Sequence, residues 1–156
     1  MNDKSRVAFY VSTYLDKEHD IAVKDQFRAL HNRLERQDYA FAGYYSDERF
    51  IASAERRHGA MQLLKDARDG KIDWVLIYDT PRLALNHDNL VEIVRRLKIS
   101  AVEVYSCIGA AEPLSVQLAD EILIAEQEAI YKQAMKWESY WDAQMDIAAQ
   151  AQDLSL

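Results

Sequence analysis

Apolar residues along the first two thirds of the chain follow two alternating patterns. Short apolar or aromatic runs predict four strands, at residues 6–11, 39–45, 73–78 and 101–106. Apolar residues spaced three or four apart predict helices over residues 21–36, 59–68 and 89–97. Strands that alternate with helices are typical of a mainly parallel sheet with helices on both faces. We therefore predict an α/β fold with a sheet of four to five strands.

The pattern changes after Pro113, where glycine and proline are absent and alanine, glutamine, glutamate and leucine dominate. This composition predicts one uninterrupted helix of about 35–40 residues, roughly 50–60 Å long. A stripe along it is too apolar to be left in water; its members are Leu123, Ile130, Trp137 and Trp141. We therefore expect an α/β domain over 1–112, a long helix over 113–156, and a homodimer formed through residues 114–150.

Charge is distributed unevenly over the 156 residues, which carry 26 acidic and 19 basic side chains and a formal net charge of -7. The last part, residues 114–156, holds eight acidic residues and only two basic ones, so it accounts for -6 of that total. An acidic segment repels both nucleic acid and anionic membranes. The long helix is therefore expected to bind another protein rather than DNA.

The sequence also predicts the cellular compartment of the protein. A single cysteine, Cys107, fits a reducing compartment. The first residues lack the apolar stretch of a signal peptide, and no apolar run is long enough to span a bilayer. We therefore expect a cytoplasmic protein without membrane contact.

Metal and nucleotide sites have little support in the residue spacing. The four histidines lie on different segments without i, i+4 pairing, and no glycine-rich loop follows the first strand. Four carboxylates could suggest magnesium but are interpreted as solvated loop ends, namely Asp47, Glu48, Asp73 and Asp79. We predict no metal and no cofactor.

Several short motifs occur in an order and spacing that resemble one known family. They are Val11-Ser12-Thr13, Gln26, Gly43–Glu48, Arg57-His58-Gly59, Asp69–Asp79, Arg82-Leu83, and Pro113 followed by Ala125–Glu128. Over roughly residues 6–130 the chain resembles the catalytic domain of the serine recombinases, the resolvase and invertase family. The resemblance implies that a serine hydroxyl attacks a DNA phosphodiester and that arginines stabilise the transition state. It assigns the nucleophile position to Ser12 and phosphate-binding positions to Arg57 and Arg82.

The departures from the family pattern fall on this chemistry. Tyr10 stands where the family has an arginine two residues before the serine, or else it is the family's strand tyrosine and two residues including that arginine are deleted; either alignment lacks the guanidinium. Leu85 replaces a second arginine. Pro81 replaces an aspartate, and Asp16 replaces a glutamine. Losing one preorganised transition-state donor typically costs about 100- to 1,000-fold in rate. The sequence therefore predicts a protein whose independent strand exchange is lost.

Three functional hypotheses remain open at this point. In the first, a recombinase-like homodimer with a degenerate active site acts through protein contacts, with another copy or an intact recombinase. In the second, an active subunit cuts and rejoins DNA through a phosphoserine link, and arginines from elsewhere complete the site; the candidates are Arg6, Arg49 and Arg56. In the third, the fold is a flavodoxin-like nucleotide-binding module. Residues after Pro113 offer neither zinc-ligand spacing nor a helix-turn-helix, so we expect DNA contacts to be weak.

Overall fold

A computed structural model describes residues 4–13, 20–48 and 57–154 of the chain. Its strands are β1 (Ser5–Ser12), β2 (Tyr39–Asp47), β3 (Trp74–Ile77) and β4 (Glu103–Ser106). Its helices are α1 (Val23–Leu34), α2 (His58–Arg68), α3 (Thr80–Leu83), α4 (His87–Ile99), α5 (Leu114–Gln117) and α6 (Ala119–Leu154). The predicted α/β fold is confirmed, with the four predicted strands and three predicted helices in place.

The four strands form one parallel sheet in the order β2-β1-β3-β4. Alternate residues of β1 face opposite sides of it. Val7, Phe9 and Val11 pack with α1 in one apolar cluster, whereas Tyr10 points to the side on which α2 and α3 lie. Because both faces are covered, β1 is buried along most of its length.

The two strands in the middle of the sheet connect outward in opposite directions. β1 leads through α1 to β2 at one edge, and β3 leads through α3 and α4 to β4 at the other. In open parallel sheets such a reversal leaves a crevice at the carboxyl ends of the two strands, where binding sites form. Ser12 ends β1 at this point, and Asp79 follows β3 there.

The single helix predicted after Pro113 is interrupted at Leu118. The four-residue α5 ends there, and the 36-residue α6 follows. Leu114 and Ser115 are buried, and the Ser115 hydroxyl bonds the Glu103 carboxylate of β4. Contacts with β4 thus fix α5, which the local sequence pattern does not reveal. At 1.5 Å per residue α6 is about 54 Å long.

The chain forms two compact units, Met1–Ile122 and Leu123–Leu156. The first contains the sheet and its helices, and the second is most of α6. None of the helices in the described ranges is both long enough and apolar enough to cross a membrane.

Candidate functional site at the carboxyl ends of β1 and β3

Ser12 lies at the crevice between β1 and β3 and is completely buried. Its hydroxyl donates a 2.5 Å hydrogen bond to the carbonyl oxygen of Arg82, at the end of the α3 turn that follows β3. Thr13, the next residue, donates its N–H to the carbonyl of Asp47. The serine side chain therefore faces the protein interior rather than an open cleft.

Arg82 packs against Ser12 from the other side of the crevice. Its side chain is only 2% exposed. Nη1 donates to the Ser12 carbonyl at 2.7 Å and to the Asp20 carboxylate at 2.7 Å, and Nε donates to Asp79 at 3.0 Å. A guanidinium placed between two carboxylates and a carbonyl has its charge neutralised within the protein.

Arg57 is the N-cap residue of α2 and is also buried. Its Nη2 donates to the Leu83 carbonyl at 2.6 Å, and its Nη1 donates to the Tyr10 hydroxyl at 3.1 Å. Tyr10 in turn donates to the Asp47 carboxylate at 2.6 Å. Burial raises the pKa of the Tyr10 phenol, and the Arg57 charge opposes this only in part. The phenol is therefore neutral at physiological pH.

Asp47 connects this cluster to the start of α2. Its carboxylate accepts hydrogen bonds from the backbone N–H groups of Gly59 and Ala60 at 2.8 and 2.9 Å. Negative charge is favourable there because the first N–H groups of a helix lack helical partners. Asp47 is thus a helix-capping and tyrosine-binding residue, and its interpretation as a solvated loop end is wrong.

Gly59 permits α2 to approach β2 closely enough to place Arg57. A Cβ at this position would overlap the carbonyl of Ser46 and lie 2.9 Å from an Asp47 carboxylate oxygen. No other residue type fits without displacing the start of the helix. The arginine, any residue, glycine motif is thereby explained by packing.

Gln26 of α1 fixes the backbone on both sides of Ser12. Its side chain is fully buried; Oε1 accepts from the Ser12 N–H, and Nε2 donates to the Ser12 carbonyl at 2.8 Å. Nε2 also donates to the Ile21 carbonyl at 3.1 Å. One amide therefore ties the end of β1 to the segment that leads into α1.

Comparison with known proteins identifies the family. The family described as "Resolvase, N terminal domain" matches residues 11–133. The chain belongs to the resolvase family. The resemblance predicted from the motifs is confirmed, and membership supports a function of the site-specific recombination type. No curated protein sequence matches this resolvase-family chain.

Solved structures share the resolvase-type fold of this chain at low identity. The N-terminal catalytic domain of TP901-1 integrase is 16% identical with a TM-score of 0.64, covering 84% of this chain and 98% of that one. A resolvase family site-specific recombinase from Streptococcus pneumoniae is 18% identical with a TM-score of 0.60, covering 85% and 95%. The C-terminal catalytic domain of ISC1926 TnpA, an IS607-like serine recombinase, is 23% identical with a TM-score of 0.55, covering 77% and 79%.

The structure brings all three predicted site residues of this resolvase-family protein together. Ser12 and Arg82 touch directly, and Arg57 bonds the residue after Arg82. Both arginines are directed into the protein, and so is the serine hydroxyl. The three residues form a buried hydrogen-bonded network, with their roles in DNA chemistry still a prediction.

The arginines proposed as replacements at the site are Arg6, Arg49 and Arg56, and only Arg6 lies in the described residues. Arg6 lies near the start of β1, where it bonds Asp73 and the Gly70 carbonyl. At about 3.3 Å per strand residue, it is roughly 20 Å from Ser12, so it does not complete the site. Arg49 and Arg56 lie outside the described residues, as does Asp16.

Two residues of the network were missed by reasoning from sequence. Nothing in the local sequence around Asp20 marks it as the partner of an arginine 62 positions later. Tyr10 was noted only as a lost arginine, whereas its hydroxyl is bonded by both Arg57 and Asp47. Among residues 4–13, 20–48 and 57–154, no group of histidine, cysteine or acidic side chains is arranged to hold a metal ion.

Proposed function

We propose that this resolvase-family protein has lost strand exchange and acts through protein contacts made by its long helix. The observation that carries the proposal is the position of Ser12. Its hydroxyl is fully buried and donates to a backbone carbonyl at 2.5 Å. A serine nucleophile must instead reach a phosphorus atom and pass its proton to a base. A carbonyl oxygen is not such a base.

The arginines support the same conclusion through electrostatics. Transition-state stabilisation requires donors aimed at the reacting oxygens. Arg57 and Arg82 are 4% and 2% exposed, and their hydrogen bonds go to protein oxygens. With Tyr10 and Leu85 in place of two further arginines, these two positions offer no positive charge to a DNA phosphate.

The long helix supplies a surface of another kind. On α6 the side chains of Leu123, Ile130, Trp137 and Trp141 are each more than half exposed. Their spacings of seven, seven and four residues place them along one stripe of the helix. We propose that this stripe packs on a second copy of the chain or on an intact recombinase, in the cytoplasm, with residues 114–150 forming the dimer.

The charge of this helix disfavours DNA as the partner. Residues 114–156 carry eight acidic and two basic side chains, and binding to a phosphate backbone depends on cationic contacts. Aromatic side chains, by contrast, are enriched where proteins contact proteins. The apolar and acidic character of α6 together favour a protein partner.

A covalent-trapping assay tests the proposed loss of catalysis. Purified protein is incubated with nicked suicide DNA substrates and analysed on denaturing gels, beside Ser12→Ala and an active serine recombinase. We expect no adduct from the wild-type chain above the level of Ser12→Ala. A robust adduct that disappears in Ser12→Ala would overturn the proposal.

The second candidate, an active subunit, is favoured by one observation, the convergence of Ser12, Arg57 and Arg82 at one crevice. It requires the Ser12 hydroxyl to leave the Arg82 carbonyl and the guanidinium to leave two carboxylates. The trapping assay separates this candidate from the first. The flavodoxin-like alternative is superseded by the resolvase family match.

A further inference from the structure

We propose that a cavity beside α1 binds a small aromatic carboxylate, a ligand with one flat ring and one anionic group. The cavity lies between the end of α1, the strands β3 and β4 and the segment that follows β4, and its volume is about 120 Å³. None of the described residues that line it belongs to the network around Ser12. The inference goes beyond the proposed function and does not depend on it.

The floor of the cavity is apolar. It is formed by Leu34, the last residue of α1, and Leu76 of β3, which are only 2% and 4% exposed. Both belong to the apolar cluster that α1 makes with β1. A ligand ring placed against these side chains removes apolar surface from water, which is favourable.

Two aromatic side chains form the walls of the cavity. Trp74 and Tyr105 lie on the neighbouring strands β3 and β4 with their ring centroids 5.0 Å apart and their planes at 49°. A third ring can join such a pair through offset or edge contacts. An apolar cavity of roughly 150 Å³ holds one benzene molecule. A volume of about 120 Å³ therefore matches one six-membered ring rather than a fused ring system.

Arg33 and Gln37 place polar groups at the rim of the cavity. Arg33 lies in the last turn of α1, and Gln37 follows that helix. Both side chains are exposed, and neither is hydrogen-bonded or ion-paired to another residue in the described ranges. The charge of Arg33 acts on this face of the sheet, since it partly opposes the rise in the pKa of the Cys107 thiol that burial causes. Guanidinium N–H groups are therefore available beside the apolar floor.

The charge of the rim selects an anionic ligand. None of the described lining residues is acidic, so a bound cation would lie near Arg33 without a counter-charge. A carboxylate is a planar acceptor that a guanidinium binds through two parallel hydrogen bonds, and the Gln37 amide can donate another. A ring that carries a carboxylate matches the floor and the rim together, and this is the chemistry of benzoate.

The test is a titration of the isotope-labelled protein with benzoate, followed by NMR at the tryptophan indole N–H signals. The Trp74 signal is assigned as the one that is missing from Trp74→Phe. We expect a saturable shift of this signal with a dissociation constant of about 1 mM or below, the scale for so small a ligand. The signals of Trp137 and Trp141 should stay in place. No saturable shift of the Trp74 signal overturns the inference.

Two analogues separate the contributions of the charge and the ring. Benzamide keeps the ring without the charge, and cyclohexanecarboxylate keeps the charge without a flat ring. We expect each to bind about three- to tenfold more weakly than benzoate, because each lacks one of the two matched groups. Binding of either analogue as tight as that of benzoate overturns the inference.

Matched variants locate the site. Arg33→Gln removes the guanidinium from the rim and should weaken benzoate binding to the level of benzamide. Arg36→Gln, outside the cavity lining, should leave binding unchanged. Ala111→Phe places a ring in the cavity and should abolish binding, whereas Ala110→Phe, which does not line the cavity, should retain it. Equal losses in a variant and its control overturn the inference.

Folding of each variant is checked by thermal melting and by the dispersion of its NMR spectrum. Arg33 and Ala111 are exposed and lie on different segments, so either variant can locate the site if the other fails to fold. The covalent-trapping assay on the wild-type chain is independent of these outcomes. A Ser12 adduct there removes the proposed function and leaves this inference in place, whereas a lack of benzoate binding removes only this inference.

Discussion

The two units of the molecule treat their apolar and charged residues in opposite ways. In Met1–Ile122 the large side chains of β1 are fully buried, and even two arginines are withdrawn from water. In Leu123–Leu156 tryptophans, isoleucines and methionines lie exposed along α6. The large side chains of β1 in the first unit are enclosed by that unit, whereas on α6 the apolar stripe of Leu123, Ile130, Trp137 and Trp141 is more than half exposed.

This contrast assigns different work to the two units. Positive charge in the first unit is used to hold the crevice together, since Arg57 and Arg82 bond backbone carbonyls and acidic side chains. In the second unit, exposed apolar side chains of α6 offer area for contact with another protein. A working catalyst would direct such groups toward its substrate, so the contrast supports the proposed role as a scaffold.

The largest expected effect concerns Arg82 and tests whether the crevice is structural. We expect Arg82→Ala to lower the free energy of unfolding by about 3–5 kcal/mol, because the buried Asp20 carboxylate then lacks its arginine partner. Arg28→Ala, at a 73% exposed side chain on α1, should change it by less than about 0.5 kcal/mol. Urea unfolding measures both. Equal effects would mean that Arg82 is not part of a buried network.

The second prediction tests whether α6 holds a partner. We expect Trp137→Ala combined with Trp141→Ala to weaken self-association by about a hundredfold or more, since buried tryptophans dominate interface energies. The matched control is Met135→Ala, on another side of the helix. Analytical ultracentrifugation gives the dissociation constants. A monomeric wild-type chain, or equal weakening by Met135→Ala, would contradict self-association through this stripe.

The smallest expected effect concerns the Tyr10 hydroxyl. We expect Tyr10→Phe to lower the free energy of unfolding by about 1–3 kcal/mol, because Arg57 and Asp47 each lose a buried hydrogen-bond partner. Tyr44→Phe, at a 60% exposed ring, should cost close to nothing.

Alkaline pH provides a second readout for Tyr10. Burial raises the pKa of Tyr10 in the folded state, so its contribution to stability is complete below the unfolded value of about 10 and is lost as pH rises above it. Tyr10→Phe should therefore lose less stability than wild type between neutral and strongly alkaline pH. Tyr45, whose pKa burial also raises, retains its own contribution in both proteins. An unchanged alkaline profile would show that Tyr10 is not withdrawn from solvent.

Sequence reasoning succeeded for the sheet and its helices because hydrophobic spacing is a local property. The apolar run at β3 and the helical spacing of α4 each predict their element without reference to the rest of the chain. It failed at Leu118, where burial of Leu114 and Ser115 against β4 separates α5 from α6. The break depends on contacts with β4, whose last residue, Ser106, lies eight positions before Leu114, and hydrophobic spacing alone does not reveal such contacts.

The candidate site divides in the same way. The order of the motifs was enough to identify the family and to select Ser12, Arg57 and Arg82, because each motif is a short stretch of chain. Only the tertiary structure decided that the Ser12 hydroxyl faces a carbonyl and that Arg82 is paired with Asp20, 62 positions away. Side-chain direction and choice of ion-pair partner follow from which segments pack together, and packing is settled by the fold as a whole.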